Sequence, residues 1–230
     1  MHNNITNIQN LQGDRLEKHE DIEQEFLTHF KQVHQEPQID NLQDIEKITK
    51  NIPKIITEDH NQLLLRPISL QEVESAMWHL KEGKALGPDG FTSNFFHKFW
   101  DLIKDEVWQV VEESRTNRWL LPSLNATFIA LIPKEDHSQT LDKFRPISLC
   151  NVIYKIISKV IASRLKPLLP LLISPEKSGY VEGRQITDVI IPTHEIIHSL
   201  KKSKKADMLL KIDLSKAFDS LSWKYIHKML

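Results

Sequence analysis

The stretch Leu209-Leu210-Lys211-Ile212-Asp213-Leu214-Ser215-Lys216-Ala217-Phe218-Asp219-Ser220-Leu221-Ser222-Trp223 decides how the rest of the chain is read. Met208 to Ile212 is apolar except for Lys211 and predicts a short strand. Ser222 is placed to cap a helix that carries Trp223, Ile226 and Leu230. Asp213 therefore stands where strand gives way to turn. A carboxylate at the end of a buried strand stays charged only when a cation faces it, so Asp213 points to a metal ion or a basic partner. An isolated Asp followed by Asp219 also fits a plain turn or cap.

Composition sets wide bounds. A chain of 230 residues, 40% hydrophobic and 27% charged, can bury a sizeable core in one large domain or two small ones. No apolar run is long enough to span a membrane, because Lys155, Lys159, Arg164 and Lys166 interrupt the greasiest segment. Met1-His2-Asn3-Asn4 opens without an apolar secretory region, so an intracellular protein is expected. The single Cys150 excludes an internal disulfide framework and a cysteine-based zinc site. The net charge of -1 hides an asymmetry: residues 1–60 carry 6 Lys and Arg against 12 Asp and Glu, whereas residues 141–230 carry 16 against 8. Any polyanion contact belongs to the last part, although a solvated basic face has the same composition.

Working back through the chain, Ile22, Phe26, Leu27, Phe30 and Val33 fall on one helical stripe, and Ile39, Leu42, Ile45 and Ile48 on a weaker one. Ser69 and Glu72 form a capping box before Val73, Ala76, Met77 and Leu80. Gly83-Lys84-Ala85-Leu86-Gly87-Pro88-Asp89-Gly90 predicts a tight structural turn. It lacks the glycine and Lys-Ser/Thr spacing of a phosphate cradle. Two helices are expected at Thr92–Trp100 and Asp105–Glu113, with a broad aromatic face suited to core packing. Ala126 to Ile132 predicts a buried strand and Phe144 to Leu149 a second. A helix then turns Ile153, Ile156, Ile157, Val160, Ile161 and Leu165 inward and Lys155, Lys159 and Arg164 outward, until Pro167 and Pro170 break it. Another helix runs from Thr187 to Leu200, with Pro192 as a kink.

Four of these strings resemble, in order, motifs of the reverse transcriptases of non-LTR (LINE-type) retrotransposons. Lys-Ala-Leu-Gly-Pro-Asp-Gly-Phe at 84–91 is similar to a fingers-entry motif, and the block from Phe144-Arg145-Pro146 to Arg164-Leu165 to a fingers motif. Ser174-Pro175-Glu176-Lys177 through Gly183-Arg184-Gln185 resembles a motif built around a glutamine, an aromatic and a Gly-Arg pair, with Lys177 where glutamine is usual and Glu182 where proline is common. Lys211 to Trp223 resembles the first catalytic motif.

The resemblance implies an α+β fold: an incomplete right-hand polymerase with mostly α-helical fingers and a partial palm sheet. Residues 1–60 would be a helical, partly flexible linker region and 61–230 a partial reverse transcriptase domain. By the same likeness Asp213 is the catalytic carboxylate and a metal ligand, with the Leu214 carbonyl as a second ligand. Two Mg²⁺ ions serve the complete family site. Arg145, Lys216 and Ala217 would border the incoming triphosphate, Phe218 would exclude a ribose 2′-hydroxyl, and Gly183 and Arg184 would touch template or primer. RNA template, DNA primer and deoxynucleoside triphosphates are the implied partners, with no membrane, and the nucleus is the implied location.

Such polymerases complete the metal site with an aromatic-x-Asp-Asp hairpin, and no Asp-Asp pair occurs in these 230 residues. The expectation is therefore a fragment or decayed copy, inactive alone. A domesticated nucleic-acid-binding remnant is the alternative, and a helical interaction protein a third.

Overall fold

The computed structural model describes residues 5–10, 12–35, 42–136, 138–203, 208, 210–212 and 221–229. In chain order the elements are β1 (Ile8–Gln9), β2 (Arg15–Leu16), α1 (His19–His34), α2 (Leu42–Thr49), α3 (Glu58–Leu65), α4 (Leu70–Trp78), α5 (Ser93–Asn117) and α6 (Pro122–Asn125). They continue with β3 (Thr127–Pro133), β4 (Phe144–Cys150), α7 (Val152–Leu165), α8 (Leu169–Leu172), α9 (Thr187–Ser203) and α10 (Trp223–Met229). Among the described residues helix dominates, and the strands form two separate two-stranded sheets, β1-β2 and β3-β4. The class is α+β, as expected.

Two compact units divide the chain. The larger comprises Lys54–Phe128 and Leu149–Leu210 and is built on α4, α5 and α7. Helix α4 starts where the capping box requires: the Glu72 amide donates to Ser69 Oγ at 3.3 Å and the Ser69 amide to Glu72 Oε2 at 3.0 Å. Val73, Ala76 and Met77 then meet Phe96, Trp100, Val107 and Val111 of α5 and Val152, Ile156 and Val160 of α7. The buried Trp100 and the half-buried Trp108 keep their polar ends satisfied, Trp100 Nε1 donating to Glu74 Oε1 at 3.1 Å and Trp108 Nε1 to the Ile68 carbonyl at 2.7 Å.

The two helices expected at Thr92–Trp100 and Asp105–Glu113 are one helix of 25 residues. No glycine or proline separates them, and the Asp101–Lys104 pair at 3.7 Å supports the intervening turn. Arg164, expected to face outward, has a side chain only 9% exposed. It lies on the same 3.6-residue stripe as Ile156 and Val160, which turns it into the protein.

The smaller unit comprises Met1–Pro53, Ile129–Ser148 and Lys211–Leu230. Residues 1–60 were expected as a helical, partly flexible linker. Helices α1 and α2 lie there, and in addition β1 and β2 pair antiparallel, with Ile8 opposite Leu16, while the Gln9 amide donates to the Gln139 carbonyl at 2.7 Å. Ile8, Ile22 and Phe26 share a core with Leu141 and Phe144, and the Phe26 and Phe144 rings meet edge to face at 5.3 Å. Strands this short carry no periodic signal, which is why the hairpin was not legible.

The strand expected as buried, β3, is exposed along most of its length, including Phe128 and Ile129. A two-stranded sheet offers too few neighbours to cover both faces. The strand expected at Met208 to Ile212 is absent at Met208, Leu210, Lys211 and Ile212, which are exposed and without regular structure. Among the described residues no strand supplies it with a hydrogen-bonded neighbour, and strand backbone without one stays solvated. Ser222 behaves as expected: its Oγ accepts from the Tyr225 amide at 3.4 Å at the start of α10.

Candidate nucleotide and nucleic-acid site

Arg145 lies on β4, next to Phe144, whose ring is held in the core of the smaller unit. Strand alternation turns the arginine out, and Pro146 removes a ladder donor beside it. Arg145 is exposed and forms no ion pair among the described residues, so its guanidinium presents its donors to solvent. A planar, permanently charged fork of this kind suits a phosphate chain. The same compact unit takes in Lys211–Leu230. Asp213, Leu214, Lys216, Ala217 and Phe218 lie outside the described residues.

Gly183 and Arg184 sit in the larger unit, in the loop between α8 and α9. Their local work is structural. Arg184 folds its guanidinium back onto the loop and donates to the carbonyls of Ser174, Lys177 at 2.6 Å and Ile173 at 2.9 Å. Gly183 has a φ of +79°, which glycine adopts without strain. Glu182 does not pair with Arg184 but with Lys166, at 2.6 Å. The loop so tied displays Tyr180, 92% exposed, at a left-handed φ of 65°.

Where β4 passes into α7, Asn151 holds three segments together. It is 1% exposed. Its Nδ2 donates to the Ser123 carbonyl at 2.9 Å, and its Oδ1 accepts from the Asp89 amide at 3.2 Å. The loop bearing Asp89 closes as a turn, with the Gly90 amide donating to the Gly87 carbonyl at 3.1 Å. Gly87 approaches Asn151 so closely that a Cβ there would lie 2.5 Å from the Asn151 nitrogen and 2.7 Å from the Cys150 carbonyl carbon. The structural turn expected over 83–90 is what the chain forms.

A second junction lies between α7 and the start of α4. Arg164 Nε and Nη2 donate to the two Glu72 oxygens at 2.8 and 3.0 Å. Its remaining donors reach the carbonyls of Leu64, Arg66 and Pro67 at 2.8, 2.7 and 2.9 Å. The Arg164 hydrogen bonds hold the Glu72 carboxyl far below the usual range, at about 2, against the opposing effect of its partial burial. Neither Asn151 nor Arg164 was singled out from sequence as a junction. For Arg164 the signal was present in the stripe it shares with Ile156 and Val160. For Asn151 only its place between strand and helix hinted at a cap.

Among the described residues no group of three or more His, Cys, Asp and Glu side chains stands close enough to hold a metal ion. No described helix is long and apolar enough to cross a membrane.

Residues 132–230 match the family model for reverse transcriptase (RNA-dependent DNA polymerase). The chain is 30% identical over 181 residues to the Transposon TX1 uncharacterized 149 kDa protein of Xenopus laevis, a span covering 79% of this chain and 14% of that protein. It is 24% identical over 168 residues to a Retrovirus-related Pol polyprotein from type-1 retrotransposable element R2 of Popillia japonica, covering 72% of this chain and 22% of that one. The R2 polyprotein of Bradysia coprophila is 25% identical over 172 residues, with 74% and 19% covered. The chain thus spans less than a quarter of each relative's length.

Proposed function

The chain carries a reverse transcriptase domain of the non-LTR retrotransposon type, and from that premise we propose that it forms the fingers and the first palm segment of an RNA-directed DNA polymerase. The observation that carries this reading is that the matched span encloses both the exposed Arg145 and the string from Lys211 to Trp223. RNA template, DNA primer and deoxynucleoside triphosphates are the proposed partners and the nucleus the proposed location.

In this reading Arg145 and Lys216 receive the triphosphate and Ala217 borders it. Phe218 serves to reject a 2′-hydroxyl by volume. Gly183 and Arg184 shape the loop that meets the template or primer. The Asp213 carboxylate and the Leu214 carbonyl are hard oxygen donors and fit Mg²⁺. When bound, the ions lower the pKa of the primer hydroxyl and neutralise the leaving pyrophosphate. Full ligation needs further carboxylates, and an Asp-Asp pair does not occur in these 230 residues.

Primer extension tests the proposal. On an RNA template with a DNA primer and Mg²⁺, the 230 residues alone are expected to give no product. Extension that Asp213→Asn abolishes would overturn that expectation.

The excess of basic residues over 141–230 supports a second reading, in which the chain binds nucleic acid without catalysis. Filter binding of an RNA/DNA duplex across a salt series separates the two: steep salt dependence that Arg145→Ala leaves unchanged favours general backbone contact.

A further inference from the structure

The ends of α5 and α7, in the larger unit, border a hollow that the polymerase reading does not use. It has a volume of about 380 Å³, and its walls include Leu64, Ile68, Trp119, Ile157, Ile161 and Leu165. A smaller hollow of about 110 Å³ adjoins it, and Ser114, Trp119 and Leu120 line both. Trp119 and Leu120 thus form a ridge between two apolar depressions. The ridge exists because Arg118 ends α5 in the left-handed region, at a φ of 52°, and turns the next two residues back over the helix end. Glycine or asparagine takes that position at lower cost. An arginine there places a cation at the rim.

Three arginines line the larger hollow. Arg164 is bound to Glu72 and Arg115 to Glu112. Among the described residues Arg118 alone of the three has no acidic partner. Trp119, 58% exposed, and Ile161, 53% exposed, stand open beside it, with Leu65 and Leu121 also exposed nearby. Exposed tryptophan and arginine around a concave apolar surface are the composition of an interface centre.

From this we propose that the paired hollows dock a short amphipathic segment of another protein. It inserts one large apolar side chain on each side of Trp119 and presents a carboxylate to Arg118. Two depressions divided by a ridge suit a peptide with two anchors better than one compact small molecule. The aliphatic walls, with Glu113 lining the smaller hollow, disfavour a polyanion such as RNA.

The test is selection of a phage-displayed random peptide library on the whole chain, with Ile161→Glu as the counter-target. Both Ile161 and Arg118 are exposed, and thermal melts serve as the check that the Ile161→Glu and Arg118→Glu variants fold like wild type. The expected winners carry two large apolar residues with Asp or Glu close by, and they bind Arg118→Glu about tenfold more weakly. On wild-type protein alone, a winning peptide shifts the Trp119 indole N–H resonance, a readout independent of either variant. Failure to enrich over Ile161→Glu, winners indifferent to Arg118→Glu, no shift at Trp119, or displacement of the winners by a short RNA oligonucleotide each overturns the proposal.

Discussion

Gly87→Ala is expected to destabilise the chain by about 3 kcal/mol, a large fraction of the stability of a domain this size. The reason is space and not backbone conformation, since Gly87 has no positive φ. Its missing side chain leaves room for Asn151 Oδ1 and for the backbone of Cys150 and Asn151, and that backbone begins α7 and cannot retreat. Alanine must push the turn off Asn151. The Asp89 amide then loses its acceptor, and a side chain only 1% exposed loses a partner. Gly90 supplies the control. It has a φ of +77° but open space around its Cβ position, so Gly90→Ala costs only the backbone strain, about 1 kcal/mol. Urea unfolding of the two variants checks the ranking, and a smaller loss for Gly87→Ala than for Gly90→Ala would contradict the docking of this loop.

Arg164→Met is expected to cost a similar amount, about 3 kcal/mol. It keeps the apolar stem and removes every donor now held by Glu72 and by the carbonyls of Leu64, Arg66 and Pro67. Because the remaining carboxylate is the larger penalty, adding Glu72→Gln should recover part of the loss, giving a double variant less damaged than the sum of the singles. The same pair sets an acid limit on stability. The Glu72 pKa is depressed in the fold, from 4.5 to about 2, so its contribution is complete above about pH 4.5 and disappears as the pH falls toward 2. Melting temperatures of wild type and Arg164→Met should therefore converge across that interval. A gap of constant size from pH 6 down to pH 2 would mean that the pair is not what the arginine contributes.

The long helices were legible because their signals are local. The capping box at Ser69 and Glu72 and the stripe of Val73, Ala76 and Met77 need no distant partner to be read. What escaped reading depends on contacts far apart in sequence. Arg164 and Glu72 are brought together by the packing of α7 on α4, and Asn151 meets Asp89 only because a loop of small residues lets the backbones approach. The stretch from Thr92 to Glu113 was divided wrongly because a polar turn around Asp101 imitates a break. Of the site, Arg145 was placed on its strand by the residues around it and given its role by the family likeness, and its outward side chain is a finding of the structure. The structural use of Arg184 was not foreseeable, since nothing in Gly-Arg says whether the guanidinium faces a ligand or its own loop. The family motifs carried Asp213 and Phe218, and those positions lie outside the described residues.

Arg145, Asp213 and Phe218 serve one deoxynucleotide in the function proposed. Mg²⁺-dependent photo-crosslinking of 4-thio-dUTP, in parallel with 4-thio-UTP, to wild-type chain and to Arg145→Ala, Asp213→Asn and Phe218→Ala reads all three roles at once. The expected result is labelling by the deoxynucleotide above the ribonucleotide, a drop of about tenfold in Arg145→Ala, loss of the Mg²⁺ dependence in Asp213→Asn, and equal labelling by the two nucleotides in Phe218→Ala. Equal labelling by both nucleotides in the wild type, or variants indistinguishable from it, would contradict a polymerase site at these residues.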